Sequence, residues 1–313
     1  MTYERSGLVA SEKSVNEAVI QERRIAVARP VAAGQSLQAI AWRQLWRKHT
    51  ALVGLGIIIV LVLTALLAGV LAPYDPTATG SGQPMLLPSG QHPLGTDMLG
   101  RDMLSRVVHG SRVAIYVGVL SLLLPICAGI PLGVISGFYG GAIDNVIMRL
   151  MDIMLAFPIF LLAIVVMVIL EPSTTNVVLA LGIVRIPIYA RIVRGSVLSV
   201  KALTYIEAAK ALAVRDPRLL WRHILPNCLA PLIVTSTLSV GTSIIAEASL
   251  SFLGLGTQPP TPSWGWDLKA GLMILEINPW ICLFPGGAIF LSVLAFNLFG
   301  DGLRDALDPR LKM

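Results

Sequence analysis

The chain has 313 residues, of which 55% are hydrophobic and 13% are charged, and its mean hydropathy is +0.76. A soluble globular domain carries about 25% charged residues, so this composition excludes that class and indicates an integral membrane protein. The formal net charge of +6 would suggest nucleic-acid binding in a soluble chain, but no basic patch interleaved with aromatic residues supports it. We expect no nucleic-acid partner and attribute the charge to loops anchored beside membrane lipid.

The amino-terminal segment is polar and shows little hydrophobic periodicity, which predicts a tail with an interfacial helix over residues 38–48. The first apolar run begins near Ala51, too late for a cleavable signal peptide. Cys127, Cys228 and Cys282 show neither a C-x-x-C nor a zinc-like spacing. We therefore expect free thiols, no metal site and no cofactor.

Six apolar runs are long enough to cross a hydrocarbon core of about 30 Å, which takes about 20 helical residues. Runs this long exclude the alternating pattern of a membrane barrel, so the sequence predicts an all-α protein with about six transmembrane helices. The fourth run is the least secure, because it contains three arginines that must pair or reach an interface. The runs are 51–72, 113–135, 146–170, 177–200, 229–255 and 281–299.

The distribution of Lys and Arg predicts the orientation. The segment before Ala51 holds eight of these residues, whereas loop 171–176 has none and loop 256–280 has only Lys269. The positive-inside rule then places both termini and loop 201–227 in the cytoplasm. Three arginines in the outer segment oppose this assignment and are partly offset by aspartates nearby: Arg101, Arg106 and Arg112.

Residues 204–226 form a basic, amphipathic segment between two apolar runs. Thr204 followed by Glu207 fits a capping box, in which each residue bonds the backbone amide of the other. Asp216 followed by Pro217 fits an N-cap with proline at the first helical position. The pattern therefore predicts two short capped helices.

These helices are expected over residues 205–214 and 217–225, with a bend at Arg215 and Asp216 and an end near Pro226. Each has an apolar face that can dock. From the pattern alone, docking on a second protein and lying on the chain's own membrane surface stay open as alternatives. The faces comprise Tyr205, Ala208, Ala209 and Leu212 in the first helix, and Leu219, Leu220 and Ile224 in the second.

The segment resembles the EAA loop of ABC importer permeases, in which an E-A-A element, a turn glycine and a terminal L-P form a coupling helix that sits in a cleft of the ATPase subunit. Ala213 replaces the turn glycine, and because alanine pays a cost in left-handed backbone, the turn lies there or moves to Arg215. The resemblance implies that the ATPase-coupling residues are Thr204, Glu207, Ala208, Ala209, Ala213, Arg215, Asp216, Leu225 and Pro226.

Further motifs resemble the C-type subunit of the dipeptide and oligopeptide (peptide/nickel) permease group, and together they cover most of the chain from about Trp46 onward. They include HPLGTDMLGRDMLSR at 92–106, FYGGAIDNVIMRLMDIMLAFP at 138–158, YARIVRGSVLS at 189–199, RHILPN at 222–227, AEASLSFLGLGTQPPTPSWGW at 246–266 and FNLFGDGLRDALDPRLK at 296–312. One departure is Ile186, since the family usually has tryptophan before Pro187.

The resemblance implies a type I ABC importer permease fold and the import of di- or oligopeptides across the bacterial cytoplasmic (inner) membrane. Its partners would be a second, B-type permease subunit, ATP-binding subunits and an external substrate-binding protein. The sequence contains no G-x-x-x-x-G-K-[ST] phosphate loop, so we expect no ATPase site and no enzymatic activity in this chain. Relatives in this group also carry nickel or glutathione, and the sequence does not choose among these cargoes.

On this basis we expect a cytoplasmic tail at 1–48, a first transmembrane helix and external segment at 49–112, a type I permease core at 113–303 and a cytoplasmic tail at 304–313. A self-contained secondary transporter is the unlikely alternative, because neither internal repeats nor a set of buried charges is evident. An intramembrane enzyme would need a nucleophile with its base, and neither G-x-S-x-G nor H-E-x-x-H occurs.

Glu247 lies within the fifth apolar run and, with Ser251, is a candidate for the translocation path, because an intramembrane acid is costly unless paired. Its alternative is a structural carboxylate bonded to Ser243 or Ser251. We also expect an ion pair between Arg149 and Asp152. His92, Asp97, Asp102 and His109 fit no compact metal motif, and we expect Arg101 and Arg106 to pair with these acids.

Two further patterns concern helix packing. Gly129, Gly133 and Gly137 have the small-xxx-small spacing that lets helices approach closely, against a neighbouring helix or the partner subunit. Pro125, Pro131 and Pro158 should bend their helices, because proline removes a backbone hydrogen bond.

Overall fold

The computed structural model describes Arg43 and residues 45–307. The predicted amino-terminal tail, most of the interfacial helix at 38–48 and the last six residues, 308–313, lie outside these residues. The described part is helical, and the strand-like pairing within it is limited to an isolated bridge between Thr96 and Asp102.

Twelve α-helices and two π-helical turns make up the elements whose bounds follow. They are α1 (His49–Leu66), α2 (Ala68–Leu71), α3 (Met103–Leu120), a first π turn (Pro125–Gly129), α4 (Ile130–Tyr139), α5 (Gly141–Leu155), α6 (Ile159–Leu170), α7 (Thr174–Lys201), α8 (Thr204–Ala211), α9 (Asp216–Leu219), a second π turn (Leu220–Ile224), α10 (Leu225–Phe252), α11 (Trp264–Leu272) and α12 (Trp280–Leu307).

Five helices of the described chain are long and apolar enough to cross a membrane, and a sixth crossing results if one bent pair counts as a span. The predicted all-α architecture with about six spans is therefore confirmed. The spans at 113–135 and 229–255 are parts of longer helices, Met103–Tyr139 and Asp216–Phe252, each continued through a π turn.

The third predicted span, 146–170, is not one straight helix. It consists of α5 and α6, which meet at an angle of 86°. Pro158 is the N-cap of α6, in extended backbone. Since proline has no amide hydrogen and disfavours helical backbone in the residue before it, the bend falls where the sequence predicted one.

The glycine spacing in α4 packs against α7 of the same chain. A Cβ atom built on Gly133 would lie 2.4 Å from the carbonyl oxygen of Ala190, and one on Gly129 would lie 2.8 Å from the carbonyl oxygen of Ile186. A Cβ atom on Gly137 would lie 2.9 Å from the Val197 side chain and 3.1 Å from the carbonyl oxygen of Arg194. These distances leave no room for a side chain, so the backbones of α4 and α7 are in direct contact.

The remaining spans complete the bundle around α7 and α10. α10 packs against α3, α7 and α12, and α12 packs against α1. Gly54 of α1 faces the backbone of α12 at Ala295 and Phe299. Small residues thus lie where the helices cross. This is expected in a membrane, because the hydrophobic effect does not drive helices together in lipid and close packing must do so instead.

A loop module, consisting of residues 73–102 and α11, covers the ends of α3 and α10. As the sequence predicted, Arg101 pairs with an acid, and its Nε donates to Asp97 at 2.6 Å. His92 Nδ1 lies 2.9 Å from Asp102, a pair that the sequence did not indicate. Asp102 is also the N-cap of α3, accepting from the Ser105 amide at 2.8 Å. These bonds hold the loop module against the start of α3.

Arg106 has a partner that the sequence did not indicate. Its Nε donates to Asp267 of α11 at 2.8 Å, a contact across 161 positions of sequence, and both side chains are almost fully buried. Burial raises the pKa of the Asp267 carboxyl, and the adjacent guanidinium of Arg106 opposes that shift. The pair ties the start of α3 to α11.

We predict that Gly133→Ala destabilises the protein by about 1–3 kcal/mol, because the new methyl group would overlap the carbonyl oxygen of Ala190. Thermal unfolding of the purified protein in detergent checks this. Gly195→Ala is the matched control, because a Cβ atom there meets nothing within 4 Å. Equal melting temperatures for the two variants would refute the close contact.

Candidate functional site

The candidate site is the elbow, defined as residues 202–224 between α7 and α10. Three of its side chains are completely buried: Ile206, Leu219 and Ile224. They join a core cluster that includes Phe138 of α4 and Val197 of α7. Because all three anchors point into the bundle, the elbow is fixed to the membrane helices rather than free in solvent.

The predicted helix starts are displaced by one residue. α8 begins at Thr204 with Leu203 as its N-cap, and α9 begins at Asp216 with Arg215 as its N-cap. Neither cap has a side-chain hydrogen bond, so the capping box of Thr204 with Glu207 and the N-cap role of Asp216 are wrong. Pro217 does lie in the first turn of α9, where its missing amide costs nothing.

Ala213 carries the turn, and it has not moved to Arg215. Ala213 has a φ of +55°, whereas Arg215 has a φ of −60° in extended backbone. The amide of Ala213 donates to the carbonyl of Lys210 at 2.9 Å, and the amide of Val214 donates to that of Ala209 at 3.2 Å. This bond pair is the Schellman motif that ends helices with a left-handed residue, usually glycine.

The second predicted elbow helix does not end near Pro226. α9 passes through the second π turn directly into α10, so residues 216–252 form one continuous helix. Pro226 lies in the first turn of α10, and the wider π turn before it accommodates the missing amide. Leu225 and Pro226 therefore belong to a membrane helix and not to a separate coupling helix.

The outer surface of the elbow exposes both large apolar side chains and charged ones. Leu212 is 80% exposed and Trp221 is 73% exposed, while Tyr205 is about half exposed. Glu207 and Ala208 are exposed beside them. Within the predicted faces, Tyr205, Ala208 and Leu212 thus point to solvent, whereas Leu219 and Ile224 are internal. The elbow presents a surface that no residue of the described part of the chain covers.

The arginines of α7 have three different environments. Arg194 donates through two nitrogens to Asp144 of α5, at 2.6 Å each, and Arg191 pairs with Asp152 of the same helix. The sequence predicted that Asp152 pairs with Arg149 of the same helix. In the structure Asp152 pairs instead with Arg191 of α7. Arg185 is only 8% exposed and bonds to hydroxyl groups of α3 and α10. No motif in the sequence marked Arg185 as a site residue.

The carboxylate of Glu247 is surrounded by hydroxyl donors near the carboxyl-terminal end of α10. Its Oε1 accepts from Ser251 at 2.7 Å, from Ser263 at 2.9 Å and from Thr257 at 3.1 Å. Ser243, the other serine considered, bonds to Ser121 and Arg185 instead. The carboxylate joins α10 to the loop that leads into α11.

The described residues contain no group of three or more His, Cys, Asp or Glu side chains that could hold a metal ion. Cys127 is exposed, Cys228 is buried and Cys282 is partly buried, and all three are free thiols.

Comparison with known families gives two matches that together cover most of the chain. Residues 129–313 match the family described as the inner membrane component of binding-protein-dependent transport systems. Residues 36–88 match the N-terminal transmembrane domain of oligopeptide transport permease C.

Individual relatives are similar over nearly their whole length. A dipeptide transport system permease protein of Alkalihalophilus pseudofirmus is 45% identical over 87% of this chain and 90% of its own. A glutathione transport system permease protein of Pectobacterium atrosepticum is 44% identical over 90% of this chain and 95% of its own.

A solved structure, an inward-facing form of the MetNI methionine ABC transporter, has a chain that aligns with a TM-score of 0.52 and 19% identity. The alignment covers 66% of this chain and 98% of that chain. At this identity the comparison shows the fold alone, and the fold is that of an ABC transporter membrane subunit.

We predict that Ala213→Gly stabilises the elbow by about 1 kcal/mol, because glycine adopts the left-handed conformation without the steric cost that alanine pays. Hydrogen exchange of the α8 amides checks this, with slower exchange expected. Ala208→Gly in the middle of α8 is the control, and it should speed exchange by a similar free energy. The same direction of change in both variants would contradict the assigned turn.

Proposed function

The chain belongs to the family of binding-protein-dependent transport system inner membrane components, and we propose that it is the membrane permease subunit of an ABC importer for di- or oligopeptides. The observation that supports this best is the elbow, because it joins two long membrane helices, α7 and α10, through a segment with three buried anchors and an uncovered apolar surface. Force applied to that surface reaches both helices directly.

The partner of the elbow is an ATP-binding subunit. Leu212, Trp221 and Tyr205 supply the apolar contact, and Glu207, Arg215 and Arg218 supply the charges around it. A docking surface with an apolar centre and a polar rim is typical of specific protein interfaces. We assign Thr204, Glu207, Ala208, Ala209, Ala213 and Asp216 to this contact region, whereas Leu225 and Pro226 act through the helix they begin.

The remaining partners are a second permease subunit and an external substrate-binding protein. With the elbow in the cytoplasm, the loop module lies at the other end of α10 and faces the binding protein. Both termini are then cytoplasmic. ATP hydrolysis takes place on the separate subunit, and ATP binding there moves the elbow and switches the helix packing between the two sides of the membrane.

Glu247 and Ser251 were candidates for the translocation path, and we propose an anchoring role for them. Three hydroxyl groups donate hydrogen bonds to the same carboxylate oxygen of Glu247, and this residue is only 2% exposed. A group so enclosed holds the end of α10 in place rather than meeting cargo.

A dipeptide is the first candidate cargo and glutathione is the second, since permeases named for each are 44–45% identical to this chain. Both cargoes are short peptides with a free carboxylate. Uptake of labelled dipeptides and glutathione by vesicles that contain the complete importer distinguishes them.

We predict that Ala208→Arg abolishes substrate-stimulated ATP hydrolysis and uptake while the protein still inserts, because a long charged side chain would stand in the contact with the ATP-binding subunit. Glu207→Lys should act in the same way. Thr175→Lys adds the same single charge as Ala208→Arg at an exposed position outside both the elbow and the loop module, and it should leave both activities unchanged. Normal transport by Ala208→Arg would exclude the elbow as the coupling contact.

The orientation predicts which cysteines a membrane-impermeant maleimide reaches in intact cells. In a variant whose three native cysteines are replaced by serine, Leu212→Cys should react only after the cells are opened, whereas Gln91→Cys should react in intact cells. Both side chains are exposed, so accessibility within the protein is not limiting. The reverse pattern would invert the topology.

A further inference from the structure

Arg185 lies near the middle of the membrane-spanning helix α7. It is the twelfth residue of α7, which has 28 residues, so it is about 17 Å along the helix axis from Thr174. With a hydrocarbon core about 30 Å thick, this depth leaves the guanidinium out of reach of either interface. A charge at such a depth is costly and is by default a functional candidate.

The partners of Arg185 orient it without neutralising it. Its terminal nitrogens donate to Ser121 Oγ at 3.2 Å, to Thr242 Oγ1 at 2.9 Å and to Ser243 Oγ. Thr242 and Ser243 in turn donate their own hydroxyl hydrogens to the carbonyl of Ser239, at 3.0 and 2.8 Å. Their free lone pairs therefore face the guanidinium, which is held by three neutral acceptors.

No carboxylate balances this charge within the part of the chain that the structure describes. Each ion pair found there involves other groups: Lys48, His92, Arg101, Arg106, Arg191 and Arg194 are the basic members. The contrast with Arg191 and Arg194 on the same helix is direct, since both have an aspartate partner. Arg185 is buried, rigidly placed and left with its full positive charge.

A cavity of about 380 Å³ opens beside this guanidinium. Its polar lining comes from Arg185, Tyr189, Ser239 and Thr242, and the rest of its wall is aliphatic or aromatic, with no acidic residue. Ile159 and Phe160, also in the wall, are 44% and 39% exposed, so the cavity opens at the surface of this chain. Its volume is in the range of small-ligand pockets.

We propose that this cavity is a binding station for the terminal carboxylate of a peptide in transit, with Arg185 as the group that receives it. The planar guanidinium suits a carboxylate, to which it can donate two parallel hydrogen bonds. The apolar wall accommodates peptide side chains. The absence of acidic lining residues means that the cavity favours an anionic group and offers nothing to a peptide's ammonium group.

This inference rests on the proposed function, because it takes the cargo to be a peptide with a free carboxylate. Its prediction is nevertheless separate: the permease complex itself discriminates between peptide ends without the external binding protein. Removal of the carboxylate should weaken binding, and blocking of the amino group should not.

The test measures equilibrium binding of Ala-Phe, its carboxyl-terminal amide and its N-acetyl form to the complete permease and ATPase complex in nanodiscs, with no binding protein present. We expect Ala-Phe and N-acetyl-Ala-Phe to bind at least about tenfold more tightly than the amide, as befits a charged hydrogen bond. In Arg185→Gln this preference should disappear, and Arg185→Lys should restore part of it. Arg191→Gln, which removes an exposed arginine from the same helix, should keep the preference.

Equal binding of acid and amide by the wild-type complex would overturn the proposal, and so would absence of saturable Ala-Phe binding. This comparison needs no variant, so it holds even where Arg185→Gln fails to assemble. An acid preference that survives in a folded Arg185→Gln complex would also overturn it. ATP-driven uptake of Ala-Phe is measured in parallel with the binding protein present: no uptake with retained acid preference would refute the proposed cargo and leave the binding station standing.

Discussion

Direct backbone contact between α4 and α7 is the interaction on which the rest of the structure depends. Gly129 of the first π turn and two glycines of α4 leave no gap against α7, so α7 is held over about three turns, from Ile186 to Val197. α7 then performs two tasks. Its middle carries Arg185 between α3 and α10, and its end leads into the elbow. A looser contact would change the depth of the arginine and the position of the elbow together.

Much of this arrangement follows from sequence. Apolar runs located the spans, Pro158 located the 86° bend, and glycines at every fourth position located the close contact, because each depends on residues near one another in the chain. The elbow was found for the same reason. The details of the elbow could not be predicted. Its helices begin one residue earlier than expected, and Ala213 itself takes the left-handed conformation. A π turn joins α9 to α10, where the sequence predicted the end of a helix. Such choices depend on how buried anchors such as Ile206 and Leu219 fit the bundle.

Arg185 and Arg106 show why the remaining contacts could not be predicted. The hydroxyl partners of Arg185 lie 64, 58 and 57 positions away, and Asp267 lies 161 positions from Arg106. No local pattern links such residues. The same contacts explain the arginines that opposed the predicted orientation, because Arg101 and Arg106 are buried in ion pairs and Arg112 donates to the carbonyl of Ala65. Because aspartates neutralise Arg101 and Arg106, these two arginines contribute little to the charge balance that orients membrane helices.

The continuous helix from Asp216 to Phe252 has a mechanical consequence. Its 37 residues span about 55 Å, and it has no loop at which bending could be absorbed. It carries the exposed Trp221 at one end and the Glu247 cluster at the other, with the second π turn and Pro231 between them. A tilt of a few degrees at the elbow displaces the opposite end by several ångströms. The elbow and the Glu247 cluster are thus joined within one helical element, and no relay of side-chain rearrangements is needed to link them.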